Sequence, residues 1–229
     1  MNIKYPLIVL LLLILTSSQN LKAKNLIVVE SSLASLNIGK ELNITDDTNS
    51  NKTNKITFRA KKSSLWFKAS YDEGNKEKNT IDVSLDGELY NPSRIIPDVE
   101  KKHADTAILE KFLASYFSAS RNGDLKWIVD SFVDEEKSNV KNIFKNKKIL
   151  KDSQKEAQGI KANYLKGLVT YKDYTILIIE QKYKNGKTIT EAIACKETKK
   201  GWRITNNLGS DKTFDIVFAA VSNGEIIKQ

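Results

Sequence analysis

The chain has one cysteine, one histidine and three prolines in 229 residues, and these scarcities exclude several classes of protein at once. With Cys195 alone, no disulfide can close within the chain. No cysteine stands near the amino-terminal apolar run, so a lipid-acylated protein is not expected. A structural or catalytic zinc needs several His and Cys ligands at short spacing, and here one of each lies far apart. A serine triad has no base other than His103, and no Gly-x-Ser-x-Gly occurs. No phosphate-cradling Gly-x-x-x-x-Gly-Lys-Ser/Thr occurs either. Neither a metal nor a cofactor is expected.

Only one run is strongly apolar. Leu7 to Leu15 are nine consecutive aliphatic residues, preceded by Lys4 and followed by the polar Thr16 to Asn20. A basic start, a short apolar middle and a small-residue exit at Ser18 or Ala23 predict a signal peptide over 1–23 and export to the periplasm or the outside. As a helix the run rises about 14 Å, against a hydrocarbon core of about 30 Å, so a stable span is not expected. An uncleaved anchor is the competing reading.

The formal net charge is +9, and the excess is nearly all lysine. An AT-rich genome would give the same lysine, asparagine and isoleucine richness. Attraction to an anionic surface is the sharper reading. Cys195 lies in an apolar alternation (Ala192-Ile193-Ala194-Cys195) and reads as a small buried hydrophobe.

Residues 24–98 read as β-rich. Lys55 to Ala60, Leu65 to Tyr71 and Thr80 to Leu85 are strand candidates, separated by polar segments. Asn91-Pro92 and Ile96-Pro97 predict a break in regular structure, and a linker is placed at 99–104. From Asp105 the apolar period becomes helical. Ile108, Leu109, Phe112, Leu113, Tyr116 and Phe117 share one face, with Asp105 or Thr106 as cap and Asn122-Gly123 as stop. Asp124 predicts a short second helix. A third is expected from Asp134 to Leu150, with Val140, Ile143, Phe144, Lys147 and Leu150 inward.

Four strands follow, over 160–171, 174–184, 188–198 and 202–206. They turn at Lys172-Asp173, Asn185-Gly186 and Lys200-Gly201. A last helix is expected after Ser210, with a strand as competitor. Residues 105–229 are expected to fold as an α+β domain without 24–98.

The order helix, Gly123-Asp124, short helix ending in Phe132-x-Asp134, then a meander closing on Gly201-Trp202-Arg203-Ile204 resembles the nuclear-transport-factor-2-like superfamily over about 105–206. The resemblance implies an α+β fold: a small β-rich amino-terminal region, then a cone-shaped domain of helices packed on a curved antiparallel sheet. It also implies that Tyr116, Trp127 and Phe132 line or floor an apolar pocket. Enzymes of that superfamily usually carry Asp, His, Tyr or Arg inside the cone. Here the sole histidine, His103, precedes the first helix, and the third helical stretch replaces the short strand common in the enzymes, which is nearer to the exported, non-enzymatic branches.

The remaining acid–base candidates are Asp130, Asp134, Glu180 and Glu191, one of which an enzyme would need inside the cone. Lys137, Lys141, Lys145, Lys148, Lys151 and Lys155 recur every three or four residues and would form one stripe on a helix, able to meet a polyanion. No interleaved aromatics point to nucleic acid. The expected function is an exported, non-enzymatic binding or assembly module for a small apolar ligand, a protein or an anionic envelope surface. The alternatives are a small-molecule hydrolase, isomerase or dehydratase of the same fold, and a membrane-anchored periplasmic component of a secretion or conjugation machine.

Overall fold

The computed structural model describes residues 44–46, 55–66 and 79–228. The expected signal segment, the run at 26–29 and most of the polar loop at 46–55 lie outside the described residues, as does Tyr71. Among those described, eight strands form one sheet in the order β1-β8-β2-β3-β4-β5-β6-β7. The strands are β1 (Ile44–Asp46), β2 (Lys55–Lys61), β3 (Thr80–Ile96), β4 (Ile160–Tyr171), β5 (Tyr174–Tyr183), β6 (Thr188–Thr198), β7 (Gly201–Ile204) and β8 (Glu225–Lys228). All neighbours run antiparallel except β1 and β8. The helices are α1 (Leu109–Asn122), α2 (Leu125–Asp130), α3 (Lys137–Phe144), α4 (Lys147–Gly159) and α5 (Lys212–Asn223). The fold is α+β, with helices packed on a large curved antiparallel sheet.

The curvature follows from where α5 sits. This helix packs against β2 and against β6, although three strands separate them. Strands lie about 4.8 Å apart, so a flat sheet would hold these two about 19 Å apart, beyond the reach of one helix. The sheet therefore curls around α5. Phe214 to Val221 are all buried, as expected of a helix that is apolar on nearly every side. Gly87 and Gly167 stand where β3 and β4 approach closely. A Cβ on Gly87 would lie 2.3 Å from the Leu168 carbonyl oxygen, and one on Gly167 would lie 2.5 Å from that of Glu88.

Side chains alternate between the two faces of a strand. Register places Phe58, Val83, Val169, Ile176, Ile178, Ala192 and Ala194 on the α5 side. Leu165, Leu177, Ile179, Glu191, Ile193 and Cys195 occupy the other side, toward α1. Ile176 to Gln181 and Thr190 to Cys195 are buried at every position, because both faces are covered.

Several elements differ from expectation. β3 does not break at Asn91-Pro92. The ladder with β4 shifts register between Leu89 and Arg94 and then resumes to Ile96. Proline lacks an N–H, and a bulge is where a strand tolerates that loss. Strands of the amino-terminal region thus lie in the same sheet as β4–β7. Leu65 and Trp66 follow a 3₁₀ turn at Lys62–Ser64 and are not strand.

Helix α1 starts at Leu109, later than expected. Asp105 accepts the Ala107 N–H at 2.9 Å and so builds the turn ahead of the helix. The Trp202 N–H donates to the Thr106 carbonyl at 2.7 Å, pinning that turn to β7. The single stretch expected over 134–150 is two helices. Asn146 interrupts it, and its side chain accepts the N–H groups of Lys148 (3.0 Å) and Ile149 (3.4 Å) as the cap of α4. Lys147, expected inward, is exposed. The Asp124 cap on Trp127 N–H (3.0 Å), the left-handed Gly123 and the turns at Lys172-Asp173 and Asn185-Gly186 stand as expected, as does a helix after Ser210. The last turn falls one residue earlier than expected, at Lys199-Lys200, because Gly201 already pairs with Thr198. β8 was not foreseen.

Candidate functional site

Helix α1 carries Tyr116 onto the face of the sheet opposite α5, and the loop after α2 brings Phe132 against it edge-on, centroids 6.2 Å apart. Phe132 is fully buried and bridges to Ile204 at the end of β7. Trp127, also buried, points its indole N–H at Ser115 Oγ, 2.8 Å away. Burying an indole usually demands such a partner. The three aromatic residues expected around a pocket are thus packed into the core.

A recess remains between α1, α4 and the ends of β4 and β5. It is lined by Tyr116, Ser120, Glu156, Asn163, Gln181 and Tyr183, among others. Its volume is about 10 Å³, about the room one water needs. Gln181 donates to Asn163 Oδ1 at 3.2 Å, which links the two buried amides across the β4–β5 pair. Trp127 and Phe132 do not line it.

The four candidate carboxylates separate sharply. Asp130 pairs with Lys126 at 2.6 Å on the surface. Asp134, also exposed, pairs with Lys137 (2.6 Å) and Lys200 (2.9 Å), which hold its carboxyl down to about 2. Glu180 is buried on the α5 side of the sheet and meets Lys166 (3.5 Å) and Lys182 (3.6 Å). Glu191 differs from all three. It is 1% exposed, and among the described residues neither carboxyl oxygen has a hydrogen-bond partner. Burial alone pushes its carboxyl up to about 8. An ionised Glu191 would in turn oppose ionisation of Tyr116 and Tyr183, whose phenols are raised first by burial and, in smaller part, by that charge.

A carboxyl titrating near 8 can take or give a proton at neutral pH. The sequence raised Glu191 as one of four candidates. Its isolation depends on which strand face meets α1, which no local pattern shows. Glu136 was missed altogether. It is buried just before α3 and accepts hydrogen bonds from Thr205 Oγ1, Asn206 N and Asn206 Nδ2 at 2.9, 2.7 and 2.6 Å.

The six lysines do not share one helix. Lys137 and Lys141 lie on α3 and Lys145 follows it, whereas Lys148, Lys151 and Lys155 lie on α4. Lys137 is engaged by Asp134, and Lys145 by Asn142 Oδ1 at 3.0 Å. The other four are exposed, and among the described residues no carboxylate pairs with them. His103 is exposed in a 3₁₀ turn, and Cys195 is buried with its thiol pushed up by burial. Among the described residues no three His, Cys, Asp or Glu side chains gather as a metal site would require. No described helix is long and apolar enough to cross a membrane.

No protein-family model matches the chain, and no curated protein matches it. Among solved structures it is similar to a Campylobacter jejuni protein described as an NTF2-like transpeptidase. The identity is 18%, over 42% of this chain and 97% of that one, with a TM-score of 0.32.

Proposed function

We propose that the protein is an exported, non-enzymatic binding or assembly module that works through its surface. One observation carries the reading. Among the described residues, the interior between α1 and the sheet is filled by side chains, with Tyr116, Trp127 and Phe132 in the core and a recess of about 10 Å³ beside them. Small-molecule sites usually offer several hundred Å³. The basic, apolar and then polar order of residues 1–23 supports export. Sequencing the amino terminus of the exported protein tests that part, since recovery of Met1 or Asn2 would favour an anchored form.

The test of the filled interior is a titration of the ¹⁵N-labelled protein with a library of small apolar compounds. No saturable shifts are expected at Tyr116, Phe132 or Glu191. A compound that saturates there would defeat the reading. A second reading, an enzyme of the same fold acting on a small apolar substrate, has one observation in its favour: the unpaired, buried Glu191 beside Tyr116. Saturable binding that is lost in Glu191→Gln would establish it.

A further inference from the structure

The fold adds to the lysines of α4 in a way their spacing does not show. Lys147, Lys148, Lys151 and Lys155 are all exposed on this helix, while Ser153 and Ala157 are its buried positions. With about 100° between successive residues, Lys148, Lys151 and Lys155 lie opposite the buried pair. Helix α4 ends against the β5–β6 hairpin, where the Lys184 N–H donates to the Gly159 carbonyl at 2.9 Å. This contact brings Lys184 and Lys187 next to the helix end, and Lys161, exposed, begins β4 there. Two segments distant in sequence thus meet in one cationic surface. Among the described residues, none of these seven lysines pairs with a carboxylate. Of the two acids on α4, Glu156 lines the recess beside Tyr183, which leaves Asp152 as the exposed one.

We propose that this surface, α4 with the tip of the β5–β6 hairpin, docks on a bilayer of anionic phospholipid. The proposal rests on the reading that the protein works through its surface, and it names the partner. The chemistry favours lipid over nucleic acid. Residues 137–161 and 182–187 contain no arginine, the side chain whose fork matches single phosphates and base edges. The aromatic residues within them, Phe144 and Tyr183, are buried, so no base could stack there. Lysines on flexible stems act as point charges that suit a fluid plane of head groups, and each adds to the attraction near such a surface. With no exposed apolar anchor on α4, the contact is electrostatic and reversible.

The experiment is co-sedimentation of the full chain with vesicles containing about 30% phosphatidylglycerol, and with neutral phosphatidylcholine vesicles, at about 50 and about 300 mM salt. Binding to the anionic vesicles alone, weakened by salt, is expected. Lys148→Glu/Lys151→Glu/Lys155→Glu should lower the affinity at least about a hundred-fold, since each lysine near the surface is worth about five-fold. The corresponding glutamine triple should lower it in the same direction, which separates loss of attraction from repulsion. Lys61→Glu/Lys199→Glu/Lys228→Glu makes the same change in net charge elsewhere and should bind nearly as the parent does. Circular dichroism confirms that each variant is folded.

Equal loss in both charge-reversed triples would overturn the proposal, because net charge alone would then be acting. So would binding to neutral vesicles unaffected by the α4 changes. Lysine-dependent binding to a DNA duplex or to heparin, with none to vesicles, would overturn it in favour of another polyanion. None of these outcomes bears on whether the interior is filled, which the compound titration decides separately.

Discussion

Glu136 and Asn206 hold one another twice. One carboxyl oxygen of Glu136 accepts the Asn206 backbone N–H at 2.7 Å, and the other accepts its Nδ2 at 2.6 Å. The pair ties the start of α3 to the chain leaving β7, with Thr205 Oγ1 as a third donor at 2.9 Å. Truncating a buried carboxylate that satisfies three donors leaves those donors unpaired. Glu136→Ala is therefore expected to lower stability by about 3 kcal/mol in urea unfolding. Asp134→Ala, at an exposed pair nearby, should leave the midpoint nearly unchanged. Similar midpoints for the two variants would refute the structural role of Glu136.

The isolation of Glu191 predicts an unusual pH profile. Its folded value of about 8 lies above the ordinary 4.5, so the folded state binds the proton more tightly than the unfolded chain does. Stability tied to this residue is complete below about pH 4.5, falls as pH rises, and is fully lost above about 8. A tenfold difference in proton affinity between the two states is worth about 1.4 kcal/mol, so the total is several kcal/mol. Urea midpoints for the parent should fall between about pH 5 and 9, and Glu191→Gln should remove most of that slope. Parallel profiles for parent and variant would show that Glu191 finds a partner in solution.

Packing gives a further test of the filled interior. Phe132 is 0% exposed and Ile95 is 69% exposed. Phe132→Ala should cost about 3–5 kcal/mol, as a large side chain removed from a closed core does. Ile95→Ala should change stability by about 0.5 kcal/mol or less. A small loss at Phe132 would mean that its ring borders open space rather than other side chains.

Because the second half of β3 pairs with β4, and because Phe58 and Ala60 of β2 are fully buried on the α5 side, residues before 99 complete the sheet. A chain beginning at Asp105 would leave the β4 edge unpaired and one side of α5 uncovered. It is expected to give a poorly dispersed amide spectrum. A well-dispersed spectrum would establish 105–229 as an independent domain.

What the sequence made legible was local. The helical period of Leu109 to Phe117, the Asp124 cap and the Asn185-Gly186 turn rest on residues close in the chain, and each was read correctly. Asn91-Pro92 misled, because a proline that ends an isolated strand can sit in the bulge of one held by neighbours. The break between α3 and α4 was hidden inside a continuous lysine repeat, although Asn146 is a good cap. The second half of α4 went unseen because its inward side is only Ser153 and Ala157. Glu191 and Glu136 differ from other acids by what surrounds them in space, and spacing carries no record of that. The meeting of α4 with the β5–β6 hairpin is likewise a tertiary fact.

Cys195, the sole thiol in the chain, is buried at the centre of β6 between β5 and β7. A reagent in solution can therefore reach it only when the sheet parts or the helices lift from it. The molecule carries its own clock for opening. The rate at which a thiol-reactive dye marks the protein, under conditions where reclosing is fast, reads the population of the opened state. Every variant above can be ranked on that one signal with no label engineered in. Added anionic vesicles would leave the clock unchanged if they touch only the outside, and would slow it if docking braces the fold.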